Sequence, residues 1–409
     1  MGSFSIALTG LRAQTEALDT IGNNLANLNT TGFKKQDTTF ADLFYQQLGM
    51  NGSGNSLQQG TGVRVASTAT DFSEGGLTTT TSATDMALEG NGFFVVNNNG
   101  TQELTRDGSF QLSSAGTLTT SDGNDVLGYA AQNGVVSASS PLTSLSMPIG
   151  ETQAAKASSN FGVTANLSSS AAVGTTFSSG VTLYDSLGTS HVATITFDKT
   201  ANNQWSYSIA LPSGDATGTP TNTTGTLTFD SNGNLTQPTS NVSGITFSGM
   251  ADGAANLNMN WNLYDAAGNS TISQTSASSS ASATTQNGYA SGSYQGFSVD
   301  TNGVVSAQFS NGQTTQIGQV AVGLVQNDEG LTNVGGNNYA TTTASGAVTV
   351  GEANQGGRGS IEDDTLEGSN VDIATEFSDL IVAQRGFEAN SKTVTTFDTI
   401  SQETINLIH

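Results

Sequence analysis

The two ends of the chain decide the fold, because each carries a helical hydrophobic pattern. Residues 4–28 read FSIALTGLRAQTEALDTIGNNLANL, and residues 373–408 read IATEFSDLIVAQRGFEANSKTVTTFDTISQETINLI. The apolar side chains of the first stretch are Phe4, Ala7, Leu11, Leu18, Ile21, Leu25 and Leu28. They occupy the a and d positions of one heptad frame, which only Gln14 interrupts. This spacing predicts a helix with one apolar stripe.

The second stretch predicts another helix with a similar stripe. Its apolar side chains are Ile373, Phe377, Leu380, Ala383, Phe387, Val394, Phe397, Ile405 and Ile408. Asn370 is the expected N-cap, and Asp372 and Glu376 would lie at the positive end of the helix dipole. Gly386 stands inside the predicted helix, where Gly costs up to ~1 kcal/mol relative to Ala, and the sequence offers no reason for it.

A helix with one apolar stripe needs a partner, and two arrangements are open. The helices can pair within one chain and pack on its body, or they can pair and pack between subunits. The side chains expected to carry this packing are Leu11, Leu18, Ile21, Leu25, Leu28, Leu380, Phe387, Val394 and Phe397. Two polar sets either fix the register between helices or form a solvated face: Asn23, Asn24 and Asn27, and Arg385, Glu388 and Asn390.

The residues between the helices follow a β pattern. Turn dipeptides recur at Asn91-Gly92, Asn99-Gly100, Asp107-Gly108, Asp122-Gly123, Asn232-Gly233, Asn302-Gly303 and Asn311-Gly312. Short runs of β-branched and aromatic residues separate them, which is typical of hairpins in sandwiches or barrels. The predicted fold class is therefore mainly β with paired helical termini, in a nested multidomain arrangement.

Composition shifts suggest where the domains meet. The Ser/Ala/Thr stretch from Thr275 to Thr285 is expected to be a linker, with residues 137–159 as its counterpart, so that Asn160–Ser273 is an inserted domain. Residues 50–62 are expected to form a flexible loop. The predicted division is terminal helices at 1–30 and 369–409, connecting segments at 31–71 and 359–368, a middle β domain at 72–150 and 285–358, and an outer β domain with its flanking linkers at 151–284.

Composition also limits the function. Net charge is −23, which disfavours nucleic acids and anionic membranes as partners. The absence of Cys excludes disulfides and thiolate chemistry, and His191 and His409 are too few for a histidine-rich metal centre. The start of the chain lacks the pattern of a secretory signal peptide, and no run reaches the ~18 apolar residues of a membrane span.

No catalytic arrangement is expected. His191 follows Ser190, but no nucleophile-elbow motif accompanies them. Residues 230–234 resemble the start of a Ca²⁺ loop, yet the Gly comes too early and the bidentate Glu is missing, so a turn is expected. Trp205 and Trp261 are expected in a β core rather than in a sugar-binding platform. The sequence predicts a structural or interaction protein that is not an enzyme and needs no cofactor.

Motifs at both ends resemble the bacterial flagellar rod and hook family. At the N-terminus these are residues 18–27, LDTIGNNLAN, and 31–34, TGFK; at the C-terminus they are 383–392, AQRGFEANSK. The stretches GNGFFV at 90–95 and TRDGSF at 105–110 are similar to the family's shared β domain. Residues 183–191, LYDSLGTSH, are similar to the outer domain of its hook members.

The resemblance implies a structural subunit that self-assembles into a curved, flexible tube and transmits torque from rod to filament as a universal joint. It implies terminal helices that line the inner tube as coiled coils, and the distal rod protein, the hook cap and the hook–filament junction protein as partners. It also implies type III export without a cleaved signal and an extracellular location at the hook. Two alternatives remain, a distal rod protein of the same family and a secreted β-rich adhesin.

Overall fold

A helix at each end and strands between them make up the computed structural model, which describes residues 2–50, 52 and 56–407. The predicted fold class is thereby confirmed. The described chain divides into two compact units. Unit one comprises the described residues within 1–149, 297–307 and 315–409, and unit two those within 150–296 and 308–314.

The elements are as follows, in chain order. The first part holds α1 (Gly2–Ala26), β1 (Gln36–Asp42), β2 (Gln46–Met50), β3 (Ser56–Gln59), β4 (Val63–Thr70), β5 (Leu77–Thr79), β6 (Met86–Glu89), β7 (Phe93–Asn98), β8 (Thr101–Thr105), β9 (Gln111–Leu112), β10 (Leu118–Thr119), β11 (Asp125–Ala130) and β12 (Leu142–Ser144). The middle part holds β13 (Thr152–Gln153), β14 (Asn160–Ser168), β15 (Thr176–Tyr184), β16 (Ser190–Ala201), β17 (Gln204–Ala210), β18 (Thr224–Phe229), β19 (Leu235–Gln237), β20 (Val242–Phe247), β21 (Leu257–Asn262), β22 (Ile272–Thr275), β23 (Ser280–Gln286) and β24 (Gly292–Val299). The last part holds β25 (Val304–Phe309), β26 (Thr314–Leu324), a 3₁₀ turn (Asp328–Gly330), β27 (Thr332–Gly335), β28 (Asn338–Ala340), β29 (Thr349–Glu352), β30 (Ser360–Asp363), β31 (Thr365–Glu367) and α2 (Ile373–Leu407).

Unit one is built on a sheet in the order β25-β26-β11-β7-β8-β28-β27. The first four residues of β7, Phe93 to Val96, are all buried, as expected of a strand covered on both faces. Phe72 packs edge to face on Phe93 at 5.4 Å and on Tyr339 at 5.2 Å between ring centroids. Small antiparallel pairs, β5 with β31 and β6 with β30, join the segment after α1 to the segment before α2.

Unit two is a sandwich of two sheets. One runs β15-β16-β17-β18-β19, and the other runs β20-β21-β14-β22 with β23 beside β14. Strand β16 alternates between exposed and buried side chains over most of its length, which is the period of a half-buried strand. Trp205 and Trp261 are fully buried in the shared core, where Trp261 stacks on Phe161 at 6.1 Å between centroids. The expectation that both tryptophans are core residues is confirmed.

The expectation of a flexible loop over residues 50–62 was wrong for most of its described part. Strands β2 and β3 pair antiparallel, from Gln46 opposite Gln59 to Met50 opposite Ser56. Every side chain of the two strands is exposed, so backbone hydrogen bonds rather than burial define the hairpin. Residues 51 and 53–55 lie outside the described residues.

The predicted linker from Thr275 to Thr285 was also wrong, since much of it is strand β23. This strand pairs antiparallel with β14, from Phe161 opposite Gln286 to Asn166 opposite Ser280. Its side chains are almost all exposed, so it contributes backbone bonds without a hydrophobic alternation that the sequence could reveal. The opposite stretch, 137–159, contains the short strands β12 and β13 and is otherwise irregular.

The N-cap of α2 is Asp372 and not Asn370. The Asp372 Oδ1 atom accepts the backbone N–H of Thr375 at 2.7 Å, which is the N-cap geometry. The Asn370 side chain instead bridges the connecting segments, because its Oδ1 accepts the N–H of Lys35 at 2.8 Å and its Nδ2 donates to the carbonyl of Asp71 at 2.9 Å.

Candidate assembly surface

The terminal helices α1 and α2 pack against each other within the chain, in antiparallel register. Near the end of α1, Asn24 Nδ2 donates to Glu376 Oε1 at 3.2 Å, close to the start of α2. Near the start of α1, a Cβ atom built on Gly10 would lie 2.8 Å from Asn390 Nδ2. The intrachain arrangement foreseen from the stripes is therefore present.

Small residues predominate where α1 and α2 approach each other most closely, a line that we call the seam. The buried residues of α1 are Ala7, Gly10, Ala13, Ala17, Thr20 and Asn24. On α2, Glu376 and Ala383 are buried, and a Cβ on Gly386 would lie 3.0 Å from Gln14 Cδ. Since the distance between packed helices depends on the side chains at the contact, Gly386 lets α2 approach Gln14 closely. This accounts for a glycine inside the helix.

The large apolar side chains of α1 lie beside the seam rather than in it. At 3.6 residues per turn, five of them fall within an arc of roughly 100°. This α1 apolar arc consists of Phe4, Leu8, Leu11, Leu18 and Leu25. Phe4 and Leu8 are exposed and the three leucines at 11, 18 and 25 are half-buried, so the chain leaves much of their surface uncovered.

Helix α2 repeats this arrangement. Five of its large apolar side chains fall within an arc of roughly 120° beside the seam. This α2 apolar arc consists of Ile373, Phe377, Leu380, Ile381 and Phe387. Phe377 is 52% exposed, and only Leu380 is half-buried.

The far end of α2 also lacks a partner among the described residues of the chain. Helix α2 has 35 residues and α1 has 25, and their register places the last turns of α2 beyond the described start of α1. Ile400, Ile405 and Leu407 are exposed there, the last to 86%.

The structure divides the packing residues expected from sequence into two groups. Those in the two apolar arcs are Leu11, Leu18, Leu25, Leu380 and Phe387. The others are half-buried: Ile21, Val394 and Phe397 flank the seam, and Leu28 lies just after the end of α1. The sequence stripes include only Ala7 and Ala383 of the seam. The other seam residues are Ala, Gly, Thr, Asn and Glu, which a pattern of large apolar side chains passes over.

The polar sets also separate. Asn24 and Asn390 lie at the seam, and Asn24 further accepts the N–H of Gln36 at 3.0 Å. Arg385 and Glu388 are exposed. Burial raises the pKa of the Glu376 carboxyl, and the hydrogen bond from Asn24 opposes this rise only in part.

A buried ionic group, which we call the junction cluster, joins the segment after α1, the segment before α2 and the turn after β8. It consists of Lys34, Arg106 and Glu367, whose side chains are 0%, 5% and 0% exposed. Glu367 contacts Lys34 Nζ through Oε1 at 2.5 Å and Arg106 through Oε2 at 3.4 Å. Lys34 also donates to the carbonyl of Ser73 at 2.6 Å. Burial lowers the pKa of Lys34, and the adjacent Glu367 carboxylate opposes that effect.

Two backbone turns also pack closely against each other at the junction cluster. Gly32 has a φ of +66°, and a Cβ there would lie 2.6 Å from the backbone nitrogen of Asp107. A side chain at this position would meet immovable backbone, so the TGFK turn can lie on the TRDG turn only with Gly at 32. The two sequence motifs thus form one contact, which neither motif reveals alone.

The remaining sequence candidates have structural surroundings. Both ring nitrogens of His191 contact carboxylates, Asp215 at 2.8 Å and Asp185 at 3.1 Å, so His191 is not engaged with Ser190. Asp230 Oδ1 accepts the N–H groups of Asn232 and Asn234, both at 2.8 Å, which is the expected turn. Among the described residues, no helix combines the length and apolarity needed to cross a membrane.

Four protein-family models match the chain, and together they cover most of it. Residues 4–34 match the flagella basal body rod protein model, and 363–407 match the C-terminal model of the flagellar basal body rod FlgEFG proteins. Residues 87–160 match the D1 domain of flagellar hook proteins FlgE/F/G, and 163–289 match the D2 domain of the flagellar basal body protein FlaE.

Curated relatives match over essentially the full length. The flagellar hook protein FlgE of Salmonella typhimurium is 34% identical over 99% of this chain and 100% of its own. That of Treponema pallidum is 32% identical over 100% and 99%, and that of Escherichia coli K12 is 33% identical over 99% and 100%. Full-length similarity to hook proteins favours the hook over a distal rod protein or an adhesin.

The fold is also similar to a solved structure. The crystal structure of the Helicobacter pylori flagellar hook protein FlgE2 superposes with a TM-score of 0.54 at 15% identity, over 71% of this chain and 100% of that one. Taken with the terminal motifs and the full-length relatives, the chain belongs to the flagellar hook protein FlgE family.

Proposed function

We propose that this chain, a structural subunit of the flagellar hook, polymerises with copies of itself through the two apolar arcs of its terminal helices. The observation that carries the proposal is the uncovered apolar surface on both helices beside an already closed seam. Phe4 and Leu8 on α1 and Phe377 and Ile381 on α2 are all exposed. A helix pair whose seam is filled by small residues can keep its fold in the monomer and still offer its larger side chains to neighbours.

The size of this effect suits assembly. Full burial of a Leu, Ile or Phe side chain is worth about 1.5–3 kcal/mol, so a side chain that is already half-buried would gain about 1 kcal/mol. The ten residues of the two arcs would then supply on the order of 10 kcal/mol per subunit. Association itself costs about 4–15 kcal/mol, so a single neighbour that covers part of one arc would not suffice. A tube in which each subunit contacts several neighbours would.

The junction cluster suits the transmission of torque. A buried ionic group and a backbone contact at Gly32 tie the connecting segments to the β sheet of unit one. A force applied to the helices would therefore reach the sheet through a closely packed contact and not through a free linker. We infer that this connection is stiff.

We further infer that bending occurs among the outer β domains, taken as residues 151–284. Charged residues are only 11% of the chain, and the strand faces that are exposed in unit two are rich in Ser, Thr and Asn. Contacts between such surfaces would be small and polar, and could slide as a curved tube rotates. Tight helix packing inside and loose packing outside would give a universal joint. No catalytic role is part of this proposal.

The remaining parts of the proposal concern location and partners. The hook position requires contact with the distal rod protein at one end and with the hook–filament junction protein at the other, and growth beneath a hook cap. It further requires export through the flagellar type III apparatus without a cleaved signal peptide. None of these steps calls for a cofactor, nucleic acid or membrane insertion.

Immunogold electron microscopy of detergent-extracted hook–basal bodies tests this function, using antibody raised against residues 160–273. We expect gold along the curved segment between rod and filament. Gold confined to the straight rod would contradict the proposal and favour a rod protein. Gold on the cell surface away from flagella would favour an adhesin.

A further inference from the structure

His191 in unit two contacts acidic groups through both of its ring nitrogens. It lies on the inward face of β16 and is 6% exposed. Its Nδ1 atom is 2.8 Å from Asp215 Oδ2, and its Nε2 atom is 3.1 Å from Asp185 Oδ2 and 4.0 Å from Asp252 Oδ2. A neutral imidazole carries one N–H, so one of its nitrogens would present a lone pair to a carboxylate. Both short contacts are hydrogen bonds only if the ring carries two protons.

The carboxylates are held in place by their own loops. Asp185 Oδ1 accepts the N–H groups of Leu187 at 2.8 Å and Thr189 at 2.9 Å, which leaves Oδ2 for the histidine. Asp252 Oδ1 accepts the N–H of Ala254 at 3.1 Å. Within the described part of the chain, no Lys or Arg nitrogen lies within 4.0 Å of Asp185, Asp215 or Asp252, so His191 is their one close positive partner.

These contacts join loops that belong to both sheets of the sandwich. Asp185 lies in the turn between β15 and β16, Asp215 follows β17, and Asp252 lies between β20 and β21. The N–H of Ala251 donates to the carbonyl of Asp215, and the N–H of Ala255 donates to Ser186 Oγ, both at 2.9 Å. His191 therefore lies where three loops close one end of unit two.

We propose that His191 is held as an imidazolium whose contacts with the three carboxylates clamp these three loops together. Unit two is therefore most stable at acidic and neutral pH and becomes less stable as the pH rises. The three carboxylates would repel one another without that charge. Loss of one proton removes a hydrogen bond and the positive charge at the same point. Unit two would then lose stability between neutral and alkaline pH through this one residue.

The ionisation of the groups agrees with this geometry. Burial lowers the pKa of His191, but hydrogen bonds to Asp215 and Asp185 more than offset it, so the net shift is upward. Burial likewise opposes ionisation of Asp185, yet hydrogen bonds from His191 and from the backbone N–H groups of Thr189 and Leu187 lower its pKa to about 2. A histidine whose pKa is raised by folding stabilises the fold fully below its unfolded value of about 6.5 and loses this effect as the pH rises through the folded value.

The test uses the full chain at low concentration, with ¹³C,¹⁵N-labelled histidine, in EDTA. The sequence has only two histidines, His191 and His409, so the NMR spectrum holds two imidazole systems, and His191→Gln identifies one of them. We expect both nitrogens of His191 to be protonated at pH 7 and its pKa to exceed that of the same residue in the urea-unfolded chain. A single protonated nitrogen at pH 7, or a pKa at or below the unfolded value, would overturn the proposal.

Variants connect the titration to stability. Asp215→Asn is expected to lower the pKa of His191, whereas Asp230→Asn, a change in a similar turn that does not contact histidine, should leave it unchanged. Both tryptophans are buried in unit two, so their fluorescence follows its urea unfolding. The urea midpoint should fall between pH 6.5 and 9 in the unchanged chain and stay level in His191→Gln. An equal fall of the urea midpoint in both proteins would contradict the clamp. A urea midpoint that rises with Zn²⁺ and falls with EDTA at pH 7 would also contradict it, because a bound cation would then replace the proton.

Discussion

The junction cluster gives the most quantitative prediction, through the substitution Glu367→Gln. Among the described residues, Glu367 is the only carboxylate within 4.0 Å of Lys34 and Arg106, and the change removes its charge from a fully buried site. Breaking a buried ion pair by removing one partner typically costs about 3–5 kcal/mol. Two features limit the cost here. Gln can still accept the N–H of Gly75, and burial already lowers the pKa of Lys34, so this lysine can release its proton. We therefore expect unit one to lose about 3 kcal/mol.

The assay exploits the uneven placement of tryptophan. Trp205 and Trp261 both lie in unit two, so fluorescence reports that unit, while hydrogen exchange of peptides from β6 and β30 reports the sheet at the junction. We expect Glu367→Gln to raise hydrogen exchange in β6 and β30. The midpoint of urea unfolding that is followed by tryptophan fluorescence should not change. Asp37→Asn is the control, because the Asp37 side chain is 57% exposed and its ion pair with Lys35 should contribute at most about 1 kcal/mol.

Two results would contradict a stabilising role for the junction cluster. One is a loss of stability of unit one in Glu367→Gln that is no larger than the loss in Asp37→Asn. This would mean that the buried charges do not stabilise the junction. The other is that Lys34→Met raises hydrogen exchange in β6 and β30 by the same amount in the Glu367→Gln variant as in the unchanged chain. In contact, the two changes should be non-additive by at least about 0.5 kcal/mol.

The remaining predictions concern the helices. Leu25→Asp and Phe387→Asp should each leave tryptophan fluorescence native and abolish polymerisation, as followed by sedimentation. Ala389→Asp, at an exposed position of α2 outside its apolar arc, should still form tubes. Tubes from either of the first two variants would contradict a role for the arcs. Gly22→Ala should stabilise α1 by up to ~1 kcal/mol, because its new Cβ has open space, while Gly10→Ala should not, because its Cβ would meet α2. Thermal melts by circular dichroism would compare the two, and an equal gain in both would mean that the seam is not closely packed at Gly10.

The sequence predicted the features that repeat along the chain. The heptad spacing of the apolar side chains identified both helices, since this period reflects burial of one face. Recurring turn dipeptides between runs of β-branched and aromatic residues identified the β hairpins, but not whether they form a sandwich or a barrel. Strand β23 was missed because its side chains are nearly all exposed and show no hydrophobic alternation. The hairpin of β2 and β3 was missed for the same reason.

The junction cluster lay beyond sequence reasoning for another reason. Lys34 and Glu367 are 333 residues apart, and nothing local to either residue indicates that they meet. The seam was hidden because Gly10, Ala17 and Gly386 act by being small, and a small residue leaves no mark in a hydrophobic pattern. The apolar arcs, in contrast, are visible in the sequence, but only the structure shows that the partner helix leaves them partly uncovered.

Hydrogen exchange compared between assembled tubes and the monomer is the direct test of assembly through the apolar arcs. We expect peptides from residues 4–28 and 373–407 to gain strong protection on assembly, and peptides from residues 160–273 to gain little. Protection of the outer domain equal to that of the helices would contradict sliding outer contacts. Terminal helices that gain no protection would contradict assembly through the apolar arcs.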